Sequence, residues 1–310
     1  MNNIYAVVDI GTLKVKTEVS SVNSDGTLNR IYNSNNLTRF GIGLDENNGY
    51  VQETYIQATI EELKRLKSEF KRYKVTKFRI VSTHAMRKAK NKQEIISRIK
   101  NEVGFEVENI PQEQEAELFF KAVMQTFPSN YKKYGVIDVG GGSVQVLVGT
   151  KENLMTKYMM PTGTVSLHEK YVKDPNDPLS YTTSEDIEKM KSQILEEIIK
   201  LEISEETPLI YGSSMIIDVM KALNIPLDSH LDSSMHPYKT YSKHLSKFLN
   251  EIIKYNPAER GKLYPQLPHG YEWGIDKAFI NVLTIASRLN SPYIIPSNAN
   301  IAQGIIYSMV

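Results

Sequence analysis

The sequence predicts an α/β protein of two similar domains, because one pattern of two strands around a turn occurs twice. In the first copy an apolar run ends at Asp9, and Gly11 and Thr12 precede a second apolar run. In the second copy an apolar run ends at Asp138, three glycines and Ser143 follow, and valines then alternate along the chain. The 310 residues suit two domains of about 120 to 180 residues each.

The first half contains five predicted strands and four predicted helices. Strands are expected over residues 4–10, 13–22, 28–33, 77–82 and 105–110, and helices over 55–73, 85–89, 92–103 and 112–126. The long helix is indicated by apolar residues at helical spacing: Ile56, Ile60, Leu63, Leu66 and Phe70. Pro128 ends the last helix, so we place the domain boundary after residue 127.

The second half repeats this order of elements. A hairpin is expected over residues 134–149, and further strands over 156–160, 208–212 and 293–296. One helix is expected to begin at Ser184 as its cap, and others over 215–223, 242–254 and 276–289. A last helix is expected to end at residue 308. The first domain is thus expected over 1–127 and the second over 128–297. We expect the terminal helix, about 298–310, to pack back on the first domain.

Composition excludes several classes of function. The chain has no cysteine, so disulfides, thiolate metal sites and a cysteine nucleophile are excluded. Its net charge of +1 predicts no general affinity for nucleic acid, DNA included, or for membranes, so any polyanion must be bound by a local site. No apolar run reaches the length of a membrane span, and the chain enters a strand without a signal-peptide pattern. We therefore expect a cytoplasmic protein.

The glycine turns are the first candidate site. Consecutive glycines leave backbone N–H groups accessible, and such a turn can hold a phosphate. The alternative is an ordinary turn, in which Asp9 and Asp138 merely cap the strand ends.

Six segments carry a resemblance to a known family. They are Asp9 to Thr12, Arg39 to Asp45, Ser82 to Asn91, Ile110 to Leu118, Asp138 to Ser143 and Pro161 to Leu167. In these segments the chain resembles the actin, Hsp70 and sugar-kinase superfamily, and specifically the exopolyphosphatase and guanosine pentaphosphate phosphohydrolase (Ppx/GppA) family. The resemblance implies two actin-like, ribonuclease H-like domains, each a mixed five-stranded sheet flanked by helices, with the active site in the cleft between them.

The resemblance also implies roles for individual residues. Arg87 would bind phosphate, and Glu115 would be the catalytic base that activates water. Asp9 and Asp138 would face each other and hold Mg²⁺ or Mn²⁺, with Asp138 also catalytic. The phosphate cradle would comprise Gly11, Thr12, Lys14, Gly140, Gly141, Gly142 and Ser143. The alternatives are a surface arginine at position 87 and an acidic first helical turn around position 115.

The chain departs from the family pattern at several positions. Gln145 stands where the family has glutamate, and Lys14 stands where it has a hydroxyl residue. The Arg-Glu-Gly motif is replaced by Ala302, Gln303 and Gly304, and the family's Arg-Ala-Asp element is not recognisable before Asp276. The sequence ends at residue 310, so we expect a short form without the additional C-terminal His-Asp domain.

The resemblance implies a hydrolase acting on phosphoanhydrides. It would release terminal phosphate from inorganic polyphosphate or from a pppGpp-like guanosine nucleotide by metal-assisted attack of water. The departures favour, as an alternative, a catalytically weak regulatory protein that binds polyphosphate or an alarmone. A kinase of the same superfamily is a third interpretation, and a homodimer is left open.

Overall fold

The computed structural model describes residues 3–128, 131–198, 207–212 and 215–310. The chain divides into two compact units. Unit 1 comprises Met1–Phe119 with Ile301–Val310, and unit 2 comprises Phe120–Asn300. This division precedes the expected boundary after residue 127, because one helix, Gln112–Thr126, spans it.

Unit 1 contains a five-stranded mixed sheet in the order β3-β2-β1-β4-β5. Its strands are β1 Ile4–Ile10, β2 Lys14–Val22, β3 Leu28–Leu37, β4 Lys77–Ser82 and β5 Val107–Asn109. Its helices are α1 Glu53–Arg72, α2 His84–Lys88, α3 Lys92–Val103, the first part of α4 Gln112–Thr126, and the terminal α11 Ile301–Met309. The β1–β2 and β2–β3 pairs are antiparallel, whereas β4 lies parallel to β1 and to β5.

Side chains of β1 alternate between two apolar cores, as the two-residue period of a strand requires. Ala6, Val8 and Ile10 pack in a core with α1 and α3, which present residues such as Ile60 and Ile99. The intervening Tyr5 and Val7 pack with Ile301, Ile305 and Ile306 of α11. The terminal helix therefore covers the second face of the unit 1 sheet.

Unit 2 contains a second five-stranded mixed sheet in the order β12-β9-β6-β7-β8. Its strands are β6 Tyr134–Val139, β7 Val144–Gly149, β8 Leu154–Met160, β9 Leu209–Gly212 and β12 Ile294–Ser297, beside a small ribbon of β10 Asp228–Ser229 and β11 Tyr238–Lys239. Its helices, beyond the end of α4, are α5 Thr164–Tyr171, α6 Ser184–Glu197, α7 Ile216–Ala222, α8 Ser242–Ile252, α9 Pro257–Leu263 and α10 Tyr271–Arg288.

Helix α10 lies within the unit 2 core and carries charges there. Asp276 and Lys277 are fully buried, and Lys277 Nζ forms a salt bridge with Asp276 Oδ2 at 2.9 Å. Asp276 Oδ2 also accepts a hydrogen bond from the buried Arg260 Nη2 at 3.1 Å. Thr182 donates to Asp276 at 2.7 Å. Arg260 and Lys277 hold the pKa of Asp276 far below its usual range, although burial opposes this.

The predicted fold class of two five-stranded mixed sheets flanked by helices is confirmed, and the differences concern individual elements. Helix α10 begins at Tyr271, five residues before the predicted start, because Gly270 adopts a left-handed φ of 89° directly before it. Thr183, not Ser184, caps α6 by accepting from the backbone of Asp186. Helices α5 and α9 were not predicted. Within the described residues, none of the helices has both the length and the apolar character that membrane crossing needs.

Candidate active site

The two glycine turns have the same backbone geometry. The N–H of Gly11 donates to the carbonyl of Lys14 at 3.0 Å, and the N–H of Gly140 donates to the carbonyl of Ser143 at 3.0 Å. Both hairpins have four residues between their last paired positions, so Asp9 lies opposite Lys16 and Asp138 lies opposite Gln145. The repeated sequence pattern therefore forms the same hairpin in both halves of the chain.

Several N–H groups of these turns are available to a ligand. Within the described residues, the N–H groups of Gly141, Gly142 and Ser143 have no hydrogen-bond acceptor, and the same holds for Thr12 and Leu13. Thr12, Gly142 and Ser143 are buried. A buried N–H group normally requires an acceptor, and a row of them forms an anion-binding concavity. Both turns thus have the donors that a phosphate needs.

The turn of unit 2 is held by the start of α5. The N–H groups of Thr164 and Val165 donate to the carbonyls of Gly140 and Gly141 at 3.0 and 2.8 Å. A Cβ atom on Gly163 would lie 2.4 Å from Gly141 O, so only glycine permits this contact. Because these bonds use the carbonyls of the turn, its N–H groups are left for another partner. No local sequence pattern indicates this role of Gly163.

Arg87 and Glu115 are in direct contact, although 28 residues separate them. Arg87 Nη1 donates to Glu115 Oε2 at 2.8 Å and to the carbonyl of Ile110 at 3.0 Å. Arg87 Nη2 is buried without a hydrogen-bond partner in the described structure. Glu115 is 9% exposed, while Glu113 and Glu117 of the same helical turn are exposed. Neither a solvated surface arginine nor a simple acidic first turn fits these contacts.

Asp9 lies one residue before the end of β1, and its carboxyl group is buried. Burial raises its pKa, while the positive charges of Lys16 and Arg87 and a 3.5 Å hydrogen bond from Thr83 oppose that rise. The structure thus places Asp9 in the same electrostatic environment as Arg87. Lys16 was not among the predicted site residues. The repeated hairpin pattern points to it, because Lys16 occupies in the first hairpin the position that Gln145 occupies in the second.

The remaining predicted residues lie around the two turns. Asp138 is half-buried at the end of β6. Gln145 is buried, and its amide donates to the hydroxyl of Ser143 at 3.1 Å. Lys14 is also buried, and its contact with phosphate stays a prediction. That Asp9 and Asp138 face each other across a cleft also stays a prediction.

A dedicated metal cage is not present within the described residues, since no three histidine or carboxylate side chains there are grouped to hold a metal ion. Asp9 and Asp138 each contribute one carboxylate. Mg²⁺ commonly binds through one or two carboxylates, with phosphate oxygens and water completing its coordination. Each carboxylate is thus of a ligand type that Mg²⁺ accepts, and that the two bind one cation stays a prediction.

Comparison with known sequences identifies relatives of this chain. It is 26% identical over 208 residues to a bifunctional 3-dehydroquinate synthase/phosphatase of Fusobacterium nucleatum. The aligned region covers 65% of this chain and 31% of the relative. It is also 26% identical over 175 residues to a guanosine-5'-triphosphate,3'-diphosphate pyrophosphatase of Photobacterium profundum. That aligned region covers 55% of this chain and 34% of the relative. The matches span about a third of the length of these two relatives.

Solved structures and a family profile agree with this comparison. The Ppx/GppA family member of Aquifex aeolicus superposes with a TM-score of 0.78 at 25% identity, covering 100% of this chain and 98% of that chain. An exopolyphosphatase of Cytophaga hutchinsonii shares the fold, with a TM-score of 0.85 at 22% identity, covering 99% of this chain and 97% of that chain. The profile of the Ppx/GppA phosphatase family matches residues 19–310. The chain therefore belongs to the Ppx/GppA phosphatase family.

Proposed function

We propose that the protein is a phosphohydrolase that releases terminal phosphate from inorganic polyphosphate or from a pppGpp-like guanosine nucleotide. Family membership supports hydrolysis of this kind of bond. The observation that carries the proposal is the 2.8 Å contact between Arg87 and Glu115, which joins a phosphate-binding cation to a carboxylate. The available N–H groups of the glycine turns supply the remaining donors.

The Arg87–Glu115 contact suggests how substrate would prepare the base. Among the described residues Arg87 Nη2 has no hydrogen-bond partner, so this buried donor can bind a phosphate oxygen when the guanidinium reorients toward the substrate. The incoming phosphate then competes with Glu115 for the guanidinium, because both are anions and the fork has a limited number of donors. Once displaced, the Glu115 carboxylate accepts a proton from the attacking water. In this scheme the base acts only when a phosphate is bound.

The glycine turns would bind the other phosphate oxygens. The donors are the backbone N–H groups of Thr12 in unit 1 and of Gly141, Gly142 and Ser143 in unit 2, with Lys14 adding positive charge. Backbone donors fixed by the fold need no reorganisation when charge develops on the transferred phosphoryl group.

Magnesium or manganese would bind with the substrate. We assign Asp9 and Asp138 as the protein ligands, because each lies one residue before the end of its strand and next to a glycine turn. The cation would neutralise phosphate charge when bound.

A regulatory function is the second candidate, and Gln145 favours it. A neutral amide stands opposite Asp138 and donates to Ser143, so this position neither accepts a proton nor balances metal charge. Such a protein would bind polyphosphate or an alarmone tightly and turn it over slowly.

A phosphate-release screen tests the two candidates. The substrates are short and long polyphosphate, pppGpp and ATP, each with Mg²⁺ or Mn²⁺. We expect release from polyphosphate or pppGpp that the Glu115→Ala variant largely loses. Release no faster than in that variant would contradict the hydrolase proposal. Tight binding of pppGpp by calorimetry without turnover would support the regulatory function, and hydrolysis restored by Gln145→Glu would locate the defect at this position.

A further inference from the structure

A second surface of unit 2 combines tyrosine rings with lysines. It comprises Tyr131, Lys221, His230, Tyr238, Lys239, Tyr241, Lys243 and Tyr293, and we call it the tyrosine–lysine surface. Strands β6, β9 and β12 are parallel, and Tyr131 and Tyr293 precede β6 and β12. Asp138 and the glycine turn lie at the opposite, carboxyl-terminal edge of these strands. The surface is therefore separate from the candidate active site of unit 2.

The backbone fixes the centre of this surface. Thr240 and Ile294 exchange two hydrogen bonds of 2.8 Å, which places the neighbouring Tyr241 and Tyr293 side by side. The Lys239 ammonium lies 5.9 Å from the ring centroid of Tyr241 and 5.3 Å from that of Tyr293. One cation thus reaches two aromatic faces.

Further rings and cations extend the surface on both sides. Lys243 lies 5.5 Å from the ring centroid of Tyr241, and Lys221 lies 4.9 Å from that of Tyr238. The hydroxyls of Tyr131 and Tyr293 are 2.6 Å apart, and Tyr131 is 3.4 Å from His230 Nε2. Polar groups able to donate and accept hydrogen bonds therefore adjoin the aromatic faces.

The lysines of this surface have no carboxylate in salt-bridge contact among the residues that the structure describes. Elsewhere in unit 2, Lys189 pairs with Glu185 at 2.7 Å and Lys254 pairs with Glu251 at 2.6 Å. Among the described residues, Lys221, Lys239 and Lys243 form no salt bridge, although Asp228 lies opposite Lys239 in the β10–β11 ribbon. These ammonium groups have no salt-bridge partner in the described part of unit 2 and can pair with an external anion.

We infer that the tyrosine–lysine surface binds single-stranded RNA. Single strands are recognised by bases stacking on aromatic rings and by cations along the phosphate backbone, and this surface supplies both within a few ångströms. A base that stacks on Tyr241 or Tyr293 would displace the lysine ammonium toward the adjacent phosphate. The Tyr131, Tyr293 and His230 polar groups offer partners for a ribose 2′-hydroxyl. The net charge of +1 leaves such a local site open.

Fluorescence anisotropy with a labelled single-stranded RNA of about 12 nucleotides tests this inference, independently of phosphatase activity. We expect Tyr241→Leu to weaken binding on the order of tenfold and Tyr241→Phe to change it little, because phenylalanine retains the ring. Lys239→Gln should reduce the slope of log affinity against log salt by about 0.7. Lys170→Gln is the matched control, since Lys170 lies 5.0 Å from the Tyr171 ring outside this surface.

The outcomes separate the possible partners. Equal loss with Tyr241→Leu and the Lys170 control, or no RNA binding at low salt, would overturn the inference. Loss with Lys239→Gln but not with Tyr241→Leu would show a surface for polyanions in general and contradict base stacking. Equal or tighter binding of DNA of the same sequence, or of duplex RNA, would contradict the assignment to single-stranded RNA. Melting temperatures of all variants within a few degrees of wild type confirm that folding is retained.

Discussion

Removing the proposed base should strengthen phosphate binding. In the structure Glu115 occupies Arg87 Nη1 at 2.8 Å, so phosphate must displace a carboxylate to use both arms of the guanidinium. A charge-assisted hydrogen bond contributes about 1.5 to 3 kcal/mol when removed. The two side chains retain 19% and 12% exposure, and glutamine still accepts a weaker bond, so we take a net effect of about 1 kcal/mol. Glu115→Gln should therefore lower the Kd for inorganic phosphate about fivefold.

Isothermal titration calorimetry of four proteins measures this effect. They are the wild type, Glu115→Gln, Arg87→Gln and the double variant, at one pH and ionic strength. In the Arg87→Gln background the same change at position 115 should have little effect, because the competition for the guanidinium is absent. Weaker or unchanged phosphate binding by Glu115→Gln would refute the competition, as would an equal gain in both backgrounds.

Three other predictions concern the fold around these sites. Gly163→Ala should destabilise unit 2 by about 1 to 3 kcal/mol, because the added Cβ would lie 2.4 Å from backbone atoms of the glycine turn. The control Gly261→Ala should be neutral or stabilising, because its Cβ would have no described atom within 4 Å. Thermal unfolding compares the two variants, and equal melting temperatures would contradict the tight packing around Gly163. Burial lowers the pKa of His236 to about 3, so below pH 6.5 the unfolded chain binds a proton at this residue that the folded chain does not. The free energy of unfolding should therefore decrease as the pH falls below 6.5, by up to about 1.4 kcal/mol per pH unit. Urea titrations at several pH values should show a weaker pH dependence of this free energy for His236→Gln. Asp276→Asn should lower the free energy of unfolding by about 3 to 5 kcal/mol, because it leaves the buried Arg260 and Lys277 without a counter-charge. Each kcal/mol corresponds to several degrees in melting temperature. A decrease in melting temperature of less than 2 °C would therefore contradict this prediction.

The sequence predicted those parts of the fold that depend on local patterns. The glycine turns, strand β1 and the helical spacing in α1 each follow from neighbouring residues, and the structure has them where expected. Helix α5 was missed because it begins directly after Gly163, where the Pro-Thr-Gly segment indicates only the end of a strand. Its position depends on hydrogen bonds to the glycine turn, which is more than twenty residues away.

The candidate site was predicted residue by residue but not as a set of contacts. Family resemblance selected Arg87 and Glu115 separately, and no periodicity links residues on α2 and α4. Their contact follows from the parallel pairing of β4 with β5, because both helices follow these strands. The buried Arg260, Asp276 and Lys277 group could not be predicted from a pattern, since charged residues on a helix usually lie on its solvated face.

The most direct test of the account is the kcat for phosphate release by wild type and by Glu115→Gln at saturating substrate. General-base catalysis contributes about 10²- to 10⁴-fold, so we expect kcat to fall by that factor while substrate binding is retained or strengthened. A variant that releases phosphate within threefold of the wild-type rate would show that Glu115 is not the base.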